Sequence, residues 1–162
     1  MPILRPAPII AALALLSSVV PPANAAGDAM VAALAGRWSG WGSIVMSGGA
    51  TEKVRCVVTY DVADDAAALR QVLRCASASY RVDADADLTV AGDIVSGRWS
   101  ESNYAAEGSV AGRLSPAGMN VAIEGEHFSA AMALTASACR QAITIAPRGI
   151  DVVRVSIELS KC

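Results

Sequence analysis

From Gly36 onward the side chains alternate between apolar and polar, broken by turn-forming residues about every eight to twelve positions. A period of two marks a strand with one buried face, and many short runs of it predict an antiparallel barrel or sandwich. The expected strands are 37–46, 52–62, 68–77, 80–90, 94–101, 105–114, 119–124, 128–135, 139–146 and 151–160. Turn chemistry separates them: Ser47-Gly48-Gly49, Asp64-Asp65, Gly92-Asp93, Ser115-Pro116-Ala117-Gly118, Gly125-Glu126-His127 and Pro147-Arg148-Gly149. No helical period of useful length stands out, and 29–35 reads as at most a short helical turn or a lead-in.

One hairpin allows its register to be argued. With the turn centred between Asp65 and Ala66, Val62 faces Leu69, Val58 faces Leu73 and Cys56 faces Cys75. A directly opposed, non-hydrogen-bonded pair brings its Cα atoms to about 4.5–5.5 Å, within disulfide reach. The same register sets Asp61 against Arg70 on the outer face. In the final hairpin the inward positions are read as Ile143 and Ile145 on one arm, and Val153, Val155 and Ile157 on the other. Pairing Ile143 with Ile157 places Cys139 opposite Lys161, and a frayed end or a bulge is then needed to join Cys139 to Cys162.

The start of the chain changes the compartment. Arg5 precedes a short apolar run from Ile9 to Val20, then Pro21-Pro22 and an Ala23-Asn24-Ala25 cleavage pattern. The run falls short of the roughly 20 residues that span a bilayer. Residues 1–25 are therefore expected to be a cleaved signal peptide, and 26–162 one exported domain, periplasmic or secreted. Losing Arg5 would take the net charge from −2 to about −3, which argues against nucleic acid as a partner. The mean hydropathy of +0.43 owes much to the leader and to alanine. All four cysteines lie in the mature part, and an even count in an exported chain favours two disulfides.

Candidate chemistry is sparse. His127 is the sole histidine and is read as an exposed loop residue rather than a metal or haem ligand. Asp83, Asp85 and Asp87 resemble the start of a calcium loop, but Leu88 and Ile94 stand where that loop needs glycine and glutamate. On a strand the three aspartates share one face, where they would pair with Arg70 and Arg74. Lys53, Arg55, Arg70 and Arg74 could form a basic patch, balanced by those aspartates. Glu101, Glu107, Glu124 and Glu126 read as outward-facing or in turns, so no carboxylate pair is isolated for glycoside chemistry. With no zinc spacing, nucleophile elbow or phosphate loop either, the chain is expected not to be an enzyme and to carry no cofactor.

Gly36-Arg37-Trp38-Ser39-Gly40-Trp41-Gly42 carries a resemblance. It is similar to the G-x-W start of lipocalins, whose tryptophan plugs the closed end of the barrel. It also resembles the opening of the nitrobindin-like calycins and of small exported barrel inhibitors of bacterial metalloproteases. The nitrobindin-like proteins hold haem through a histidine near the C-terminal end of the barrel; His127 lies elsewhere, so haem loses its main support. More of the chain is similar to small exported bacterial proteins of unassigned function. These share that start, an R-C…L-R-C-A-S hairpin (here Arg55-Cys56 and 73–77) and a second G-x-W-S-E (97–101).

The fold expected is all-β: a single antiparallel up-and-down barrel of about eight to ten strands, with a two-sheet sandwich as the alternative. The function expected is binding of a small apolar ligand, with Trp38, Val58, Leu73, Val90, Val121 and Met132 lining the site. The alternative is a protein-interaction module, such as an inhibitor of an exported hydrolase, with Trp41 on its rim.

Overall fold

The computed structural model describes residues 23–162. The expected leader lies outside the described residues, apart from Ala23, Asn24 and Ala25, which open a helix. That helix, α1 (Ala23–Leu34), precedes ten strands: β1 (Gly36–Met46), β2 (Thr51–Val62), β3 (Ala68–Ala76), β4 (Arg81–Ala91) and β5 (Ile94–Glu101), then β6 (Ala106–Ser115), β7 (Gly118–Gly125), β8 (Ser129–Ala136), β9 (Arg140–Arg148) and β10 (Val152–Ser160). Each strand pairs antiparallel with its neighbour in sequence, and β1 pairs with β10 to close the barrel. Closure leaves no sheet edge unpaired. The up-and-down barrel is thus the architecture, not the two-sheet sandwich.

Short turns set this topology. β4 and β5 are joined by Gly92-Asp93 alone, with Gly92 at φ 63°. Gly149, at φ 86° between β9 and β10, lies so close to the chain that a Cβ there would sit 2.5 Å from the His127 carbonyl oxygen. In the turn between β2 and β3 the Ala67 amide donates to Asp65 Oδ1 at 3.0 Å. The register beyond it is the expected one: Val62 with Leu69, Asp61 with Arg70, Val58 with Leu73, Cys56 with Cys75. The Cys56–Cys75 bond crosses a Cα separation of 4.1 Å.

Ile143 pairs with Ile157, and the Lys161 amide donates to the Cys139 carbonyl. Beyond that last contact the chain frays enough for Cys139 to bond Cys162. Val153 departs from expectation. An irregularity between Val45 and Met46 shifts the pairing with β10, so Val152 turns inward and Val153 is 46% exposed.

The helix is the main departure. Gly27, Met30, Val31 and Leu34 are buried, a spacing of i, i+3, i+4 and i+7 that makes one helical face. This face covers one barrel end, touching β2, β6 and β8. Trp38, fully buried, donates from Nε1 to the Leu34 carbonyl at 2.7 Å, fixing the helix to the first strand. Lys161 Nζ donates to the Ala33 and Ala35 carbonyls at 2.7 and 3.0 Å and lies 4.7 Å from the Trp38 ring centroid. A cation on the last carbonyls of a helix satisfies orphan acceptors and complements the dipole. Among the described residues no helix is long and apolar enough to cross a membrane.

Candidate functional site

Burial along the inner wall is graded from one end to the other. Beneath α1 the inward side chains are closed off: Trp38, Val58, Tyr60, Leu88, Leu134 and Leu159 are all buried. Toward the opposite end, inward residues of the same strands become only half-buried, among them Met46, Val82, Trp99, Ile123, Met132 and Ile145. An inward-facing apolar residue that solvent still reaches means an open mouth. The barrel is stoppered by α1 at one end and carries no helix among the described residues at the other, its mouth, where β1, β3, β5, β7 and β9 finish.

Four of the seven aromatic residues gather at that mouth: Tyr80, Trp99, Tyr104 and Phe128. Trp99 packs edge-on to Phe128 with 5.8 Å between centroids, and its Nε1 donates to the Glu124 carbonyl at 3.1 Å. Gly108 and Gly125 make room for it; a Cβ at Gly108 would lie 2.8 Å from that Nε1 and collide with the Glu124 carbonyl. Tyr80 reaches Met46 Sδ with its hydroxyl at 3.7 Å. Alanines at 84 and 86 on β4 share the inward parity of Val82 and Leu88 and are half-buried.

The charged groups on the inner side are both carboxylates. Glu101 is buried, contrary to the outward position read for it from sequence; it shares the parity of Val95 and Trp99. Burial raises its pKa, but hydrogen bonds outweigh that and hold the carboxyl below its usual range. The Asp83 amide and the Asn103 side chain donate to Oε1, and the Tyr104 amide donates to Oε2. Glu52, half-buried at the start of β2, accepts from the Ser79 amide at 2.6 Å; hydrogen bonding from Ser77, then from Ser79, lowers its pKa. Both carboxylates tie loops of the mouth in place.

The other expected site residues are dispersed. Trp38, Val58, Val90 and Val121 all face inward but sit in the packed core, while Leu73 and Met132 are half-buried. Trp41 is 51% exposed on the outer wall at mid-strand, not at a rim. The His127 side chain is 89% exposed, 3.5 Å from Glu126. Asp83, Asp85 and Asp87 face outward, and ion pairs join Arg74 to the first two and Arg70 to the third. The residues missed by the sequence reading are the aromatic residues of the mouth and Gln141, the buried partner of Tyr60. Gln141 shares the parity of Ile143 and Ile145, the one signal that marks it as inward.

No protein-family model matches the chain, and no curated protein matches it in sequence. Solved structures share the fold. An S-type phycobiliprotein lyase from Guillardia theta superposes with a TM-score of 0.61 at 10% identity, over 86% of this chain and 97% of that one. A protein of unknown function from the DUF3598 family of Nostoc punctiforme superposes with a TM-score of 0.57 at 11% identity. That match covers 82% of this chain and about half, 49%, of the other. The chain is thus a closed ten-strand antiparallel barrel that shares its fold with these proteins. The expectation that it is not an enzyme is overturned, because a barrel of this architecture is a lyase. At such identity the likeness reaches the fold and assigns no reaction to this chain.

Proposed function

We propose that this protein is exported and takes up a small, mainly apolar ligand through the open end of its barrel. The observation that carries the reading is the burial gradient: apolar inner-wall residues lie half-exposed at one end while α1 seals the other. Aromatic and sulfur side chains around a concave mouth, with few polar groups, suit a ligand of that kind. With Glu52 and Glu101 as the charges on the inner side, neutral or cationic ligands are favoured over anions. Two disulfides and the leader-like N-terminal sequence support an oxidising, extracytoplasmic location. The likeness to a phycobiliprotein lyase supports a ligand-holding barrel.

The test is titration of the oxidised protein with a neutral apolar fluorophore, beside native mass spectrometry of the protein as purified. Saturable binding, weakened by Trp99→Ala and by Met132→Ala, is the expected result. Fluorophore binding that neither substitution alters, or no binding at all, rejects the mouth as the site.

A further inference from the structure

The outer wall is divided by charge. On β3 to β6 four of the five cations are spent on neighbours, Arg70 on Asp87, Arg74 on Asp83 and Asp85, Arg98 on Glu107, and Arg113 on Asp93 nearby, and Arg81 alone makes no ion pair among the described residues. Six others, Arg37, Lys53, Arg55, Arg140, Arg148 and Arg154, belong to β1, β2, β9 and β10 and make no ion pair among the described residues. Barrel closure gathers them, because β1 lies between β2 and β10. A protein with a net charge of −2 therefore carries a basic wall.

Trp41 stands in this wall. Lys53 Nζ lies 4.4 Å from its ring centroid and the Arg55 guanidinium 5.5 Å, and half of its surface remains exposed. One lateral row of the sheet runs Arg55, Trp41, Glu158, Ala142, Thr135; the next runs Ser39, Ser160, Arg140. Small side chains at 39, 142 and 160 leave a groove of about 870 Å³ beside the indole, flanked by Arg140 and Glu158 and ended by the Cys139–Cys162 bond.

The geometry points to a binding site for an acidic oligosaccharide in this outer groove, separate from the mouth. Arg140, the cation that lines the groove, would meet a carboxylate with the bidentate fit of its guanidinium, and Lys53 and Arg55 on the β2 side of Trp41 would meet the next one. Serine and threonine hydroxyls and Glu158 would pair with sugar hydroxyls, and the exposed part of Trp41 would cover an apolar sugar face. A concave groove suits a chain, whereas a bilayer surface is flat. The hydroxyl-rich floor also fits a sugar better than a lipid headgroup.

Calorimetry of the full oxidised chain at low salt tests this, with oligogalacturonate, a neutral maltooligosaccharide of equal length and phosphatidylglycerol vesicles as probes. Oligogalacturonate is expected to bind, and to bind less well at high salt as screening shortens the reach of the cations. Trp41→Ala and Arg140→Glu are each expected to weaken it by about tenfold or more, the scale of a central aromatic or arginine anchor. Arg98→Glu makes the same charge change on the opposite wall and is expected to leave affinity unchanged. Both altered groove positions are exposed, and circular dichroism checks that the variants keep the barrel. Absence of oligogalacturonate binding overturns the proposal, as do equal loss from Arg98→Glu, equal affinity for the neutral sugar, or tighter binding to vesicles.

Discussion

Gln141 Nε2 donates to the Tyr60 hydroxyl at 2.9 Å inside the stoppered end of the barrel, while the Oε1 of the same amide finds no partner. The two residues come from β9 and β2, separated around the wall by β10 and β1. Burial pushes the Tyr60 pKa well above its ordinary value, and the hydrogen bond from Gln141 offsets little of that. Removing one partner of a buried pair leaves the other unsatisfied, at a cost of about 1–3 kcal/mol, whereas removing both is nearly neutral. Tyr60→Phe is therefore expected to destabilise by that amount in urea unfolding, and Tyr60→Phe with Gln141→Leu to recover most of it.

The same tyrosine sets a limit at high pH. Its folded pKa is raised, so between the unfolded value of about 10 and the folded value the native state keeps a proton the unfolded chain has lost. Its contribution is fully present below about pH 10 and falls as pH rises above it. Stability measured from pH 9 to 11.5 should decline less steeply in the double variant than in the wild type. Equal slopes would show that Tyr60 does not titrate this way.

Glu101 works in the opposite direction. Its folded pKa is lowered, so its stabilisation is present above the unfolded carboxyl value and lost as pH falls through the folded one. Glu101→Gln puts an amide where three donors converge, and is expected to cost about 1–3 kcal/mol at neutral pH. The difference between wild type and variant should shrink as pH falls below about 4. A constant difference down to pH 2 would place the loss in packing rather than in the carboxylate.

The two disulfides differ in where they sit. Loops of 19 and 23 residues give each about 3 kcal/mol by the chain-entropy estimate. Cys56 and Cys75 are buried in the core, while Cys162 is exposed at the chain end. Paired alanine substitutions at 56 and 75 should thus cost more than those at 139 and 162, because they also lose core packing. Thermal unfolding of the two double variants gives the order.

Lys161 holds the stopper from outside. Lys161→Ala removes the ammonium from the Ala33 and Ala35 carbonyls and from the Trp38 ring. An expected loss of about 1 kcal/mol should appear as faster amide exchange across α1, with β3 to β6 unchanged. Uniform exchange across the molecule would mean that α1 is not held separately.

Much of the wall was legible along the chain. Alternation and turn residues located all ten strands to within a residue or two, since a strand's inward and outward faces are a local property of every second residue. The Cys56–Cys75 register was legible for the same reason: one tight turn fixes the pairing that follows it. The six residues named as a lining do face inward, but alternation carries no information about height in the barrel, so packed and half-exposed positions could not be told apart. The face of α1 offered only Gly27, Met30, Val31 and Leu34 among alanines, a contrast too weak to stand out.

Sequence by itself determined a disulfide-bearing β-barrel with its first tryptophan inside, because side-chain parity, turn chemistry and cysteine register act between near neighbours. Tertiary structure alone decided which end is stoppered, which aromatic residues meet at the mouth, and that Lys53 and Arg55 share a wall with Arg140 and Arg154. The last of these follows from β1 closing onto β10, a pairing between segments more than a hundred residues apart. No local pattern specifies it, since it arises only when the whole sheet curls to satisfy its last two edges.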